Sequence, residues 1–225
     1  MRSLYNLGIR LYGFSIFIAG FFYEKAAKWR SGRKGIFINL KQSFQNSSNP
    51  LAWFHCASLG EFEQGRQVIE AFRKKFPDYK ILLTFFSPSG YETRKDYKEA
   101  DFIFYLPLDT PYNAEQFIEI VKPALAIFIK YEFWYNYLNV LNTKKIPAFL
   151  ISAKFRAGQY FFTSIGAWFR KSLHFYNTLF VQDKGSELLL RKIGINNVLV
   201  CGDTRFDRVI NISQQPYSNT VIEKF

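Results

Sequence analysis

Ser58-Leu59-Gly60-Glu61 is the first place in the chain where residue types and spacing suggest chemistry. A serine with a glutamate three residues on has the spacing of a capping box, in which serine caps a helix and glutamate reaches back to the cap's amide. The same glutamate, near a helix N-terminus, is favoured in its ionised form and can accept a proton from a bound hydroxyl. Spacing alone puts the cap first and leaves the general base open. Ser87-Pro88-Ser89-Gly90 offers hydroxyls and helix-start amides to an anion, with proline fixing the turn, although most such turns are merely caps. In Lys130-Tyr131-Glu132 a cation and an acid end an apolar run; they either serve a ligand or pair with each other to secure a helix start. His55 and His174 sit among aromatic residues and read as packed or capping histidines.

Other chemistries have no support. There is no Gly-x-Gly-x-x-Gly after the first apolar run and no Walker A sequence, which removes the usual dinucleotide and P-loop enzymes. An Asp-x-Asp clamp, a His-rich ligand set and a Gly-x-Ser-x-Gly elbow are also missing. The two cysteines, Cys56 and Cys201, have neither metal-ligand spacing nor the density of a disulfide framework, and a reducing cytoplasm is the simplest setting.

The elements that must position these groups follow a clear rhythm after Pro50. Apolar runs at 51–57, 80–86, 101–106, 124–129, 148–153, 178–181 and 197–201 suit buried strands. Stretches of helical character lie between them at 62–75, 90–98, 112–121, 132–144, 158–175 and 184–193. Short strands without alternation, each followed by a helix, predict an α/β fold with a doubly wound, mostly parallel, Rossmann-like sheet. Such sheets bind ligands at the carboxyl ends of their strands. The polar clusters fall there, together with Pro107-Leu108-Asp109-Thr110, Ser152-Ala153-Lys154 and Gly202-Asp203-Thr204-Arg205.

The first forty residues are of another kind. Leu4, Leu7, Leu11, Phe14, Ile18 and Phe21 recur at helical spacing, with Asn6, Arg10, Gly13 and Gly20 on or near the opposite face. This predicts a lipid-facing helix. The uncharged run from Leu11 to Tyr23 is shorter than the ~20 residues that cross a bilayer, so a short span and an in-plane anchor both stay open, with a docked core helix as the plainer alternative. The chain carries a net charge of +12, and through Gly60 eight cations face one acid, Glu24. Lys25, Lys28, Arg30, Arg33 and Lys34 form a belt beside the apolar helix, which points to anionic inner-membrane lipids rather than nucleic acid and puts the following domain on the cytoplasmic side. Residues 1–40 are therefore read as membrane anchor and basic belt, 41–50 as a polar linker and 51–209 as the Rossmann-like domain.

Taken in order, His55-Cys56-Ala57-Ser58-Leu59-Gly60-Glu61, Ser87-Pro88-Ser89-Gly90, Tyr105-Leu106-Pro107-Leu108-Asp109, Glu132-Phe133-Trp134 and Gly202-Asp203-Thr204-Arg205-Phe206-Asp207 resemble the 3-deoxy-D-manno-octulosonic acid (Kdo) transferases. The resemblance implies the N-terminal, acceptor-side half of a GT-B glycosyltransferase. It implies an inverting, metal-independent transfer, with no cofactor, from CMP-Kdo to a lipid A precursor, lipid IVA, at the cytoplasmic face of the inner membrane. It places the general base on Glu61, transition-state stabilisation on Lys130 and Arg205, and substrate binding on Ser58, Gly60, Ser87, Ser89, Gly90 and Glu132. Where many members carry Glu-Thr-Glu this chain has Lys130-Tyr131-Glu132, and the family's Gly-x-x-Lys ends here in Arg205. The resemblance also implies a second domain that holds CMP-Kdo, absent here, with 210–225 starting the linker toward it. A non-catalytic, membrane-associated glycolipid-binding module is the alternative reading.

Overall fold

The computed structural model describes residues 1–45, 49–163 and 165–205. Three helices, α1 (Arg2–Ala19), α2 (Glu24–Ser31) and α3 (Ile36–Phe44), precede a sheet of seven strands. The strands are β1 (Leu51–Cys56), β2 (Lys80–Phe85), β3 (Phe102–Tyr105), β4 (Leu125–Ile129), β5 (Ala148–Ala153), β6 (Thr178–Val181) and β7 (Val198–Val200). Between them run α4 (Leu59–Lys75), α5 (Pro88–Arg94), α6 (Pro111–Val121), α7 (Tyr135–Thr143), α8 (Arg170–Leu173) and α9 (Lys184–Lys192). Each expected apolar run is a strand, and every pairing is parallel.

The strand order is β3-β2-β1-β4-β5-β6-β7. The chain first builds outward from β1 through β2 to β3, then returns to lay β4 on the other side of β1 and builds outward again. That reversal leaves a crevice at the carboxyl ends of β1 and β4, where neighbouring connections leave on opposite faces. Trp53, Leu82, Phe128 and Leu150 pack on one face with α3, α6, α7, α8 and α9. Phe54, Leu83, Ile127 and Ile151 line the other face, where α4 supplies Phe62 and Ile69. Strands apolar on both faces are what a sheet covered on both sides requires.

Two expectations are corrected. Residues 41–44 belong to α3 rather than to a linker, because Ile36, Leu40 and Phe44 share one helical face; the first two are buried, and Phe44 lies 4.5 Å from the Phe102 ring. Residues 158–175 are not one helix but two short 3₁₀ turns, Tyr160–Phe162 and Ile165–Ala167, followed by α8. The Arg170 guanidinium takes the carbonyls of Phe161 and Thr163, each at 2.6 Å, which a continuous helix would need for its own ladder. Residues 46–48 of the expected linker, Phe206 and Asp207 of the last motif, and the expected interdomain linker at 210–225 lie outside the described residues.

α1 lies against loops at the carboxyl edge of the sheet. Its Tyr5 hydroxyl donates to Asp109 at 2.6 Å, Asn6 accepts from Asn136 at 2.9 Å, and Gly13 admits the Leu108 side chain so closely that a Cβ would collide with it. The opposite stripe, Leu4, Leu7, Leu11, Phe14, Ile18 and Phe21, is exposed. Between α1 and α2 the chain bends by 119°, and among the described residues no single helix is long and apolar enough to cross a membrane.

Candidate functional site

Glu61 enters the crevice from the first turn of α4, directly after β1. The capping box expected there is not formed as such. Ser58 occupies the N-cap position but makes no side-chain bond to a backbone amide; its hydroxyl donates to the Glu61 carboxylate. Glu61 is thus an oriented acceptor at the positive end of a 17-residue helix. Gly60 beside it is exposed.

Across the crevice, after β4, Glu132 is 4% exposed. It does not pair with Lys130. One carboxylate oxygen accepts from Trp134 Nε1 at 2.5 Å and stands 3.2 Å from His55 Nε2, while the Tyr176 hydroxyl donates to the Glu132 carbonyl. The Nε2 contact is one of proximity and charge rather than an aligned hydrogen bond. His55 Nδ1 lies 2.8 Å from Thr84 Oγ1, which also accepts from Trp53 Nε1 at 2.7 Å. Thr84 and His55 are registered partners on adjacent strands. With the threonine hydroxyl donating to Nδ1, the histidine turns its Nε2 proton toward Glu132. A buried chain, Trp53–Thr84–His55–Glu132–Trp134, therefore runs through the sheet to the crevice floor. Burial, then Glu132, then Glu61 push the Cys56 thiol well above its ordinary range, so it stays neutral beneath the two acids.

Lys130 and Arg205 approach from the next strands. Lys130 has φ 75°, a left-handed conformation costing about 1–3 kcal/mol for a residue with a side chain. Its amide still extends the sheet ladder to Ile151 at 2.8 Å, and its ammonium lies 5.5 Å from the Tyr131 ring. Arg205 is exposed and clasps Asp203, with contacts of 2.5 and 3.0 Å. Lys130 and Arg205 both lower the Asp203 pKa, Arg205 the more strongly, so the two cations converge on one acid. Ser152, also left-handed at φ 55°, shares a 2.9 Å hydrogen bond with Thr204 and ties the end of β5 to the same corner.

The Ser87 to Gly90 turn is split in role. Ser87 caps α5, accepting the Ser89 amide at 3.4 Å, and the two hydroxyls lie 3.1 Å apart on the surface. Gly90 is buried on the Phe85 ring, where any Cβ would overlap it, so it serves packing rather than a ligand. The Ser87 amide donates to the Ala57 carbonyl at 2.7 Å, which joins this turn to the one that carries Glu61.

Two residues gain a role that the sequence did not show. Arg33, read as part of the basic belt, is instead buried. It donates to the carbonyls of Phe86 at 2.7 Å, Leu106 at 2.9 Å and Trp29 at 3.1 Å, and it stacks on the Trp29 ring at 3.8 Å. Burial pushes its pKa down to about 9, which leaves the guanidinium charged at neutral pH. Asp109 is wholly buried and accepts from Tyr5, from the Asn136 amide at 3.1 Å and from the Tyr137 amide at 3.0 Å. Burial raises its pKa to about 6 despite those three bonds. Arg33 and Asp109 fasten the N-terminal helices to the loops that form the crevice. The only sequence signals were an arginine amid aromatic residues and an acid between prolines.

The sequence profile of the 3-deoxy-D-manno-octulosonic-acid transferase (kdotransferase) family matches residues 32–208. A 3-deoxy-D-manno-octulosonic acid transferase of Aquifex aeolicus is 34% identical over 116 residues, 50% of this chain and 30% of the relative. That of Haemophilus influenzae is 32% identical over 106 residues, 47% and 25% of the two chains. That of Rickettsia felis is 26% identical over 177 residues, 75% and 36%. The matched part thus spans about a quarter to a third of these curated relatives. Among solved structures, the UDP-GlcNAc 2-epimerase of Methanocaldococcus jannaschii superposes with a TM-score of 0.52 at 16% identity, covering 74% of this chain and 50% of that one. A S. aureus MnaA-UDP structure gives 0.56 at 12%, covering 78% and 51%. At such identity the likeness is one of fold, and it agrees with a Rossmann-like half of a GT-B architecture.

Proposed function

The chain belongs to the 3-deoxy-D-manno-octulosonic-acid transferase family, and from that premise we propose that it is the acceptor-side part of a glycosyltransferase of lipopolysaccharide synthesis. In this reading Kdo passes from CMP-Kdo to the lipid A precursor lipid IVA, with inversion and without a metal. Glu61 takes the proton of an acceptor hydroxyl as that oxygen bonds to the anomeric carbon and the bond to CMP breaks. Lys130 and Arg205 offset negative charge on the sugar carboxylate and the departing CMP. The greater length of the relatives supports a second domain that holds CMP-Kdo across the crevice.

The observation that carries this reading is the Glu61 carboxylate, oriented by Ser58 at the switch point of a doubly wound sheet. The outward apolar stripe of α1, with Lys25, Lys28 and Lys34 exposed beside it, supports an in-plane seat on the anionic, cytoplasmic face of the inner membrane. The decisive experiment is Glu61→Ala in a complete two-domain enzyme, with turnover and thermal midpoint measured together. Transfer should fall by about 10²–10⁴ while the fold persists; wild-type turnover in the variant would remove Glu61 from the role of base. Turnover by residues 1–225 alone would overturn the view that this part only binds glycolipid.

A further inference from the structure

Beside the crevice lies a cavity of about 470 Å³ between α1, α2 and the turn after β2. Tyr12, Ile16, Ala26, Trp29 and Phe86 form its walls, and Lys25 and Ser87 add an ammonium and a hydroxyl. Its size falls within the ~300–1,000 Å³ of ordinary small-molecule sites. Two features say what fits it. The helices that bound it are the pair whose outer surface is apolar and exposed, with Phe14, Phe17, Phe22 and Tyr23 near its rim in sequence, so the cavity continues that surface inward. At its inner side Ser87 is hydrogen-bonded through its amide to Ala57, next to Ser58 and one helical turn from Glu61.

We infer that this cavity takes one acyl chain of the glycolipid acceptor, leaving the phosphorylated sugar between the Lys25 ammonium and the Ser87 hydroxyl, beside Glu61. The inference rests on the acceptor reading above and specifies how the acceptor is held. The chain leaves the lipid layer between α1 and α2, and its burial against Trp29 and Phe86 replaces contact with other lipid tails. The head group is then positioned by its own tail. A phospholipid with no sugar places nothing beside Glu61, and the site is assigned to the acceptor alone.

The test uses the 225-residue chain in nanodiscs with lipid IVA and its fully deacylated form as probes. Ala26→Phe fills the cavity, and circular dichroism reports whether the variant folds. Lipid IVA should bind at least about tenfold more weakly to Ala26→Phe than to wild type, with affinity for the deacylated form unchanged. In a folded variant, equal loss for both probes, or no loss for either, overturns the inference and leaves the acceptor reading standing. Failure of wild type to bind either probe overturns the acceptor reading and the inference with it. A second measurement holds even if Ala26→Phe does not fold. Lipid IVA brominated on its acyl chains should quench the part of wild-type fluorescence that Trp29→Phe removes. Absence of that quenching, or equal quenching by brominated phosphatidylglycerol in the presence of lipid IVA, overturns the assignment.

Discussion

Replacing Asp109 with asparagine should flatten the dependence of stability on pH between pH 4 and pH 7. Asp109 is wholly buried at the junction of α1 and α7, and burial raises its pKa from 3.8 to about 6. Because the folded value lies above the unfolded one, the folded state holds the proton more tightly. The resulting stabilisation is fully present below pH 3.8 and is lost as pH rises through about 6. One pH unit of difference is worth about 1.4 kcal/mol, so the wild type should lose about 2–3 kcal/mol across this interval. Asparagine retains an oxygen for the Tyr5 hydroxyl and the Asn136 and Tyr137 amides but does not titrate. Urea unfolding of both proteins in the same detergent, at half-unit steps of pH, gives two curves whose difference isolates this one group. Parallel curves would refute the reasoning, since they would mean that the carboxylate titrates alike in the folded and unfolded chain.

Thr84→Val keeps the shape of the side chain but removes the hydroxyl shared by Trp53 Nε1 and His55 Nδ1; with both groups buried, denaturant titration should show a loss of about 2–4 kcal/mol. Arg33→Ala strips the carbonyls of Trp29, Phe86 and Leu106 of their donor and should cost at least about 3 kcal/mol, with Arg33→Lys intermediate because an ammonium does not reproduce the fork. Thermal and urea midpoints of the pair give that order, and equal midpoints would count against it. Serine at Leu7, Leu11 and Phe14 together should leave the fold intact, since all three are exposed, yet lower partition onto anionic vesicles by about a hundredfold or more in a sedimentation assay. Unchanged partition would show that the stripe does not meet the lipid.

What was legible in the sequence was local. Runs such as Leu51–Cys56 and Lys80–Phe85 declare buried strands because every residue must tolerate an apolar neighbour on one face or the other. The seven runs, the intervening helices and the stripe on α1 could all be read from periods of two and 3.6. The turns at strand ends were legible as well, because a parallel sheet leaves its loops as the only place for Ser58, Glu61, Ser87 and Lys130. The partner of each polar group was not legible, because partners are set by strand order and register. Glu132 looked like a mate for Lys130 two residues away and instead meets His55, carried to it because β4 lies beside β1. Arg33 looked like a surface cation until three carbonyls from separate elements closed on it, and Asp109 finds its Tyr5 donor 104 residues earlier in the chain. Ser58 and Glu61 kept the spacing of a cap, yet the folded turn bonded the hydroxyl to the carboxylate instead of to an amide. Periodicity is a property of neighbours along the chain and survives without a fold; a pairing between buried polar groups exists only once packing has removed water and left each donor a single acceptor within reach.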